Sequence, residues 1–279
     1  VLNAQNKTYE AVEYMDKLFE SFSEVKKETW RYMKSIAGGK NMKIVDRNRE
    51  NLLYALNEQK LNVKKDRGFD SGTELRDAVI EYLEMSYTVL NEDYDKILDM
   101  EEIAEQSYDL MEAYMTAKEK AGDKLHEALD KLKVAETEFA EKYEITLIET
   151  EGDDIDKKIR RTGKALKYYN RLYLIFFKCY KQEAYLVDAQ NRNDISALEQ
   201  NINTMKNFCE EALEEIKTIE SYNGDVSLKS SLKQVIIFFQ REAEDDFPKV
   251  VDFYLKKDDF ERTEKMINSK KKKGVCSDI

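Results

Sequence analysis

The sequence predicts an all-α protein built from long antiparallel helices, and three observations support this fold class. Only nine glycines and one proline occur among 279 residues, so few positions interrupt a helix. Charged residues make up 37% of the chain and apolar residues 42%, a balance that suits helices with one polar and one apolar face. Apolar positions recur at helical spacing, and the same pattern is written twice.

The repeated pattern runs from Gly68 to Leu98 in its first copy. There the apolar residues follow Ser71 and Glu74, which have the spacing of an N-terminal capping box. The second copy lies 153 residues later and needs no insertion or deletion. The aligned pairs are Leu75 with Leu228, Val79 with Leu232, Leu83 with Ile236, Tyr94 with Phe247 and Ile97 with Val250. This repeat predicts an internal duplication into two related units of three to four helices, packed as an antiparallel bundle.

The helices that precede the repeated stretch extend the pattern. Tyr9 to Ile36 is typical of one amphipathic helix, which ends at Gly38 and Gly39. A second helix follows, with Asn41 as its cap. At the same offset, the further aligned pairs are Asn41 with Asp194, Phe22 with Ile175 and Tyr32 with Tyr185.

Both copies interrupt the apolar pattern at the same place. Asn91 to Asp93 and Glu244 to Pro248 are polar, turn-capable clusters, so we expect a kink or a new helix start in each. The stretch from Met100 to Tyr143 is typical of one long helix, and Asp258 to Ser269 of a weaker final helix.

The expected domain organisation follows from these elements. The first bundle unit covers 5–147, a linker covers 148–156, and the second unit covers 157–269. Residues 270–279 are expected to form a lysine-rich disordered tail. Residues 1–4 resemble the remnant of a secretory signal peptide, with small or apolar side chains at Leu2 and Ala4 before a cleavage site at Gln5.

The charge balance restricts the partners. A net charge of −11 makes nucleic acids and anionic membranes poor partners, because both are bound by positive surfaces. No stretch approaches the roughly 18 to 20 consecutive apolar residues of a membrane-spanning helix, so no transmembrane segment is predicted.

The sequence holds no recognisable catalytic or cofactor-binding constellation. Its single histidine, His126, cannot supply a di-iron bundle, a common zinc site or a nucleophilic triad in the usual way. We therefore predict a protein that is not an enzyme, with no cofactor and no metal site.

Two charged pairs coincide in the repeat: Asp93 with Asp246, and Lys96 with Lys249. One interpretation places them around a ligand or a hard cation where the two repeats meet. The other makes each aspartate a helix cap with a local ion pair. The second interpretation is favoured, because charge clusters on helices are commonly solvated faces.

Two cysteines align across the predicted helical hairpin of the second unit. If its turn lies near Asn193, Cys179 and Cys209 are nearly level on facing helices. A disulfide between them is one interpretation in an oxidising compartment, and two small buried thiols are the other.

Four segments resemble an uncharacterised family of bacterial helical proteins that are surface-exposed or lipid-anchored. They are SGTELRD (71–77), NEDY (91–94), DLMEAY (109–114) and EFAEKYEI (138–145). The resemblance implies a helical fold and a cell-envelope location, and it implies no catalytic activity.

The sequence thus predicts a non-catalytic helical interaction or scaffold protein, exported to the periplasm or the cell surface, with an unknown protein partner there. The alternative function is a metal- or small-ligand-binding protein that uses the paired acidic residues. The alternative location is the cytoplasm. Neither the partner nor the oligomeric state follows from the sequence.

Overall fold

The computed structural model describes residues 2–20, 22–148 and 152–275, which form ten α-helices and two π-helical turns, π1 and π2. Isolated bridges occur among these residues, but no strand does. The all-α prediction is confirmed. In chain order the elements are α1 Leu2–Glu20, α2 Phe22–Ala37, α3 Met42–Lys64, α4 Glu74–Thr88, π1 Val89–Asp93, α5 Tyr94–Ala104, α6 Tyr108–Lys142, α7 Asp154–Asn191, α8 Ile195–Thr218, α9 Ser227–Arg241, π2 Glu242–Asp246 and α10 Phe247–Val275.

The chain divides into two compact units, Val1–Lys167 and Tyr168–Ile279, and the boundary falls inside α7. It therefore lies later than the predicted linker at 148–156. Helix α7 begins where the Asp153 carboxylate accepts hydrogen bonds from the backbone N–H groups of Ile155 and Asp156, at 2.8 and 2.9 Å. Lys26 of α2 pairs with Asp156 at 2.8 Å, so the first turn of α7 belongs to the first unit.

In the first unit, α3 packs between α2 and α4, and α6 lies along both α4 and α5. The apolar faces of these helices meet in one core, and the repeat positions Leu75, Val79 and Leu83 are among its most buried side chains. In the second unit, the buried residues of α7, α8, α9 and α10 form a separate core around Ile236, which has no exposed surface.

Four elements of the second unit start 153 residues after their counterparts in the first: α8 after α3, α9 after α4, π2 after π1 and α10 after α5. The buried positions of α7 instead follow those of α2 at 154 residues. The prediction that one ungapped offset covers the first helix is therefore wrong. Tyr32, which is buried, corresponds to the buried Leu186 and not to Tyr185, which is 42% exposed; likewise, Phe22 corresponds to Phe176.

The extra residue lies in the connection before the next helix. Three residues separate α7 from α8, whereas four separate α2 from α3. Both connections still end in a side-chain cap, because Asn41 accepts from Ile44 N–H at 3.1 Å and Asp194 accepts from Ala197 N–H at 3.0 Å. A duplication as the origin of the shared pattern stays a prediction.

A tight turn precedes α4, and a second one precedes α9 at the corresponding position. Phe69 and Gly72 exchange two backbone hydrogen bonds around Asp70 and Ser71, both of which have positive φ. This conformation is that of a type I′ turn. Ser71 therefore lies in the turn and does not cap α4, whose N-cap residue is Thr73. In the second unit, Asn223 and Gly224 form the equivalent turn between Tyr222 and Asp225.

Two further boundaries differ from the prediction. The helix expected from Met100 to Tyr143 is two helices, because Ser107 starts α6 by accepting from Leu110 N–H at 3.2 Å. The tail expected from 270 is helical through Val275, since its lysines favour a helix and no proline stops it; residues 276–279 lie outside the described part. Likewise Val1 of the predicted signal remnant is not described, and α1 begins at Leu2.

Candidate functional site

The π-helical turns interrupt both units at the positions where the sequence predicts a kink. In the first unit, the widened turn leaves the Leu90 carbonyl facing α3, where Arg49 Nη1 donates to it at 3.1 Å. The same guanidinium donates to Asp46 through Nε at 3.0 Å and Nη2 at 2.8 Å. Arg49 is 8% exposed, so this contact anchors π1 from inside the bundle. Such π-helical turns are frequent at functional sites.

An open groove of about 400 Å³ lies in the first unit between α6 and the α4–π1 segment. Its apolar floor includes Tyr82, Val89 and Ala128, and its rim is charged. Asp93 at the end of π1 pairs across this rim with Lys124 of α6, at 2.5 Å. The groove could accept an apolar group, but its best placed acidic side chain is already bound to a lysine.

Three of the four charged ligand candidates form ion pairs within their own units. Asp93 does not cap α5 through its side chain, and its pairing with Lys124 was not predicted. Lys96 is exposed on α5. Asp246 pairs with Lys249 at 3.3 Å, which is the local ion pair of the favoured interpretation. A ligand site that these residues share stays a prediction.

A second acidic cluster surrounds π2. Partial burial, followed by repulsion from the neighbouring Glu183 and Asp246 charges, raises the pKa of Glu242. Partial burial also raises the pKa of Glu183. Within the described residues, no group of three or more His, Cys, Asp or Glu side chains could hold a metal ion. The cluster is therefore a patch of like charge at the C-terminal end of α9.

That apolar surface consists of Leu228, Val235 and Phe238, here called the α9 stripe. These side chains are 42%, 36% and 44% exposed. The sequence marks the positions, because Leu228 and Val235 lie seven residues apart and thus on one side of the helix.

The corresponding surface of the first unit is only partly covered. At the same offset the counterparts of the stripe are Leu75, Tyr82 and Met85; Leu75 is 2% exposed, Tyr82 is half-buried and Met85 is 37% exposed. The repeat pairs Leu75 with Leu228, so equivalent leucines are buried in one unit and exposed in the other. Within the second unit, α9 packs on α8, and its Phe239 ring lies 6.3 Å from the Phe176 ring of α7, while the α9 stripe stays exposed. The α9 stripe is the candidate functional site.

Sequence patterns alone could not identify this stripe. Leu228 aligns with Leu75 and is predicted to be buried like it, yet burial depends on whether a further helix returns across the surface. Ser107, the cap that starts α6, aligns with Phe260 of the uninterrupted α10. The lack of a cap at Phe260 is the one sequence difference that could have indicated an uncovered α9.

The cysteine prediction placed two residues correctly. Cys179 of α7 and Cys209 of α8 have no exposed surface, and their sulfur atoms are 4.0 Å apart. Both are free thiols, with Cys209 donating a weak hydrogen bond to Cys179. That contact and burial raise the pKa of Cys179. A disulfide needs sulfur atoms about 2 Å apart, so the two sulfur atoms are not bonded at this separation, and a disulfide between them stays a prediction.

The buried thiols lead to a titration prediction. In a Cys276→Ser variant, we expect no reaction with a thiol reagent in the folded protein, because neither remaining sulfur reaches solvent. Unfolding in denaturant without reductant should release two titratable thiols. Intact mass before and after reduction is the control. A protein that releases none and gains two mass units on reduction contains the disulfide instead.

Comparison with known protein families, with curated proteins and with solved structures finds no match. Within the described residues, no helix combines the length and the apolar character needed to cross a membrane. The geometry of the site is therefore the basis of any functional proposal.

Proposed function

We propose that the protein is a non-catalytic helical interaction protein of the cell envelope, and that the α9 stripe is its docking surface. The observation that carries this proposal is the contrast between the two units. Leu75 is 2% exposed under α6, whereas its counterpart Leu228 is 42% exposed on α9. The leucine that α6 helps to bury in one unit is thus exposed in the other.

The shape of the stripe indicates the chemistry of its partner. In the first unit, the covering helix α6 presents Ala121, Ala128 and Leu132 as its buried side chains along this region. Small and branched apolar residues on one side of a helix are the features that let two helices pack closely. We therefore infer that the α9 stripe binds an amphipathic helix.

The location and the lack of catalysis rest on the sequence. Envelope placement is supported by the resemblance of four segments to bacterial surface proteins and by the pattern before Gln5. A non-catalytic role is supported by a sequence with a single histidine and no nucleophile motif.

The test is affinity capture from cell-envelope extract with the full chain and two matched variants. Val235→Glu places a charge in the α9 stripe, whereas Ile237→Glu places it on the opposite side of the same helix, where Ile237 is 46% exposed. We expect the wild type and Ile237→Glu to retain the same protein, other copies of this chain included, and Val235→Glu to lose it. An identical retained set for all three proteins would contradict the proposal.

A further inference from the structure

Helix α10 leaves the second unit after Tyr254, whose hydroxyl donates to the Gln190 carbonyl at 3.2 Å. Every residue from 255 to 270 is exposed, and the helix continues to Val275. The α10 extension, residues 255–275, is roughly 30 Å long at about 1.5 Å per residue. Helices in proteins gain most of their stability by packing one side against a partner. The exposed side chains of this extension are therefore free to meet a partner outside the chain.

One side of α10 carries large apolar side chains at regular intervals. Phe253, Phe260 and Ile267 lie seven residues apart and are 60%, 68% and 50% exposed. Seven residues correspond to almost two helical turns, so the three side chains lie along one line, here called the α10 stripe. Contiguous apolar surface that is exposed to water commonly marks a contact with a protein or a membrane.

Basic residues flank the α10 stripe. On a helix, side chains three and four positions apart are neighbours, whereas adjacent positions face different sides. Five basic residues stand at these spacings from the stripe, and one acidic residue, Glu264, does so as well. The basic residues are Lys249, Lys256, Lys257, Lys270 and Lys271.

The other acidic residues of the extension lie on other sides of the helix. Asp258, Asp259 and Glu261 stand one or two positions from Phe260 and thus roughly 100° or more away from it around the helix axis. Arg262 pairs with Asp259 at 3.8 Å. The apolar stripe therefore has a mainly basic border, and the acidic groups are turned away from it.

The extension also differs in charge from the rest of the chain. Residues 255–275 hold eight basic and four acidic residues, and the part from 265 to 275 holds five lysines and no acidic residue. Lys256 pairs with Asp252, but both side chains are exposed, and such pairs contribute little in water. The net charge of −11 belongs to the whole chain, so the argument that it provides against anionic membranes does not extend to this segment.

We propose that the α10 extension binds the surface of a membrane that contains anionic phospholipids, with the helix axis parallel to the surface. The α10 stripe enters the boundary between headgroups and acyl chains, and the flanking ammonium groups reach the lipid phosphates. Clusters of lysines on a helix with an apolar side are typical of anionic lipid binding. Nucleic acids attract the same lysines, but a phosphate backbone offers no apolar phase that buries Phe260 and Ile267. This role is separate from docking at the α9 stripe.

Co-sedimentation of the full chain with vesicles tests this binding. We expect the wild type to bind vesicles of equal parts phosphatidylcholine and phosphatidylglycerol, and to stay in solution with phosphatidylcholine alone. Binding should weaken as salt is added, because salt screens the attraction between the lysines and the lipid phosphates. A chain that does not bind the mixed vesicles, or binds both kinds of vesicle equally, overturns the proposal.

The contribution of the α10 stripe is measured with Phe260→Gln, which removes its central ring and should weaken binding to the mixed vesicles at least tenfold. Leu255→Gln is the matched control, since Leu255 is 49% exposed and stands five positions from Phe260, on another side of the helix. We expect this control to bind like the wild type. Far-UV circular dichroism checks that both variants keep their helices. If Phe260→Gln binds as tightly as Leu255→Gln, the extension recognises only charge, as it would in a nucleic acid, and the proposal fails.

The contribution of the lysines is measured with the double variant Lys257→Gln and Lys270→Gln, which should weaken binding roughly tenfold or more. Lys217→Gln with Lys233→Gln removes the same charge from exposed positions of α8 and α9 and should bind like the wild type. Equal weakening by the two pairs would overturn the proposal, because net charge and not the α10 extension would then govern binding. Val235→Glu should bind vesicles like the wild type, which separates this binding from docking at the α9 stripe.

Discussion

Replacing Ile236 by alanine is expected to destabilise the second unit by about 3 kcal/mol, the usual cost of removing a large aliphatic side chain from a close-packed core. Ile236 has no exposed surface and lies in the core formed by α7, α8, α9 and α10. Its counterpart Leu83 is equally buried in the first unit, so Leu83→Ala should cost a similar amount there. The shared pattern thus predicts matched effects at two positions 153 residues apart.

Urea unfolding measures both changes. The only tryptophan, Trp30, lies on α2, so its fluorescence reports on the first unit and should follow Leu83→Ala. Far-UV circular dichroism follows Ile236→Ala. The matched control is Ile237→Ala, since this neighbour is 46% exposed and its truncation should change the free energy of unfolding by less than about 0.5 kcal/mol. Equal effects of Ile236→Ala and Ile237→Ala would contradict the assignment of α9 faces.

The apolar periodicity correctly predicted the fold class and most of the aligned core positions of α4 and α9, with Leu228 as the exception, because burial in a bundle repeats with the helix itself. Leu83 and Ile236 illustrate this success. The same periodicity assigned Tyr32 the wrong counterpart, Tyr185 in place of Leu186. These two residues are neighbours in the sequence, and an alignment of apolar positions accepts either one because both side chains are large. The register was decided by the length of the turn between two helices, which apolar spacing does not record.

Breaks between helices were predictable only where their local chemistry was distinctive. Asn41 and Asp194 were identified because side-chain oxygens at helix starts satisfy free backbone N–H groups. Ser107 makes the same kind of cap, but it is embedded in a stretch that remains apolar and periodic on both sides. Ser71 has the spacing of a cap and lies in a tight turn instead, because the backbone there adopts positive φ.

The candidate site was beyond the sequence for a different reason. Exposure of the α9 stripe depends on the path of α10 after Tyr254, which is a property of the tertiary fold. The aligned charged pairs, in contrast, were visible in the sequence, but the structure gives Asp93 and Asp246 different kinds of ion-pair partner. Asp93 bonds to Lys124 of a helix that has no counterpart among the described helices of the second unit, while Asp246 bonds to Lys249 within its own helix turn.

Removal of the guanidinium of Arg49 is the second change with a large expected effect. Arg49→Met keeps the apolar stem of the side chain and deletes the donor to the Leu90 carbonyl. A buried carbonyl without a donor costs about 1 to 3 kcal/mol, and we expect a loss of stability in this range. Asp46, a second partner, is 41% exposed at its side chain, so water can replace the arginine there.

Arg47→Met is the matched control, because Arg47 is an exposed arginine on the same helix and its loss should change stability by less than about 0.5 kcal/mol. Trp30 fluorescence during urea unfolding measures both variants. Hydrogen exchange adds a local readout, since opening of π1 should accelerate exchange of the Tyr94 amide, which donates to the Val89 carbonyl. The counterpart of Arg49 on α8 is Ile202, so π2 forms without an arginine at this place. Equal stability of Arg49→Met and Arg47→Met, together with unchanged exchange at Tyr94, would show that Arg49 does not anchor π1. The π-helical turn of the first unit would then form from its own segment, as π2 does.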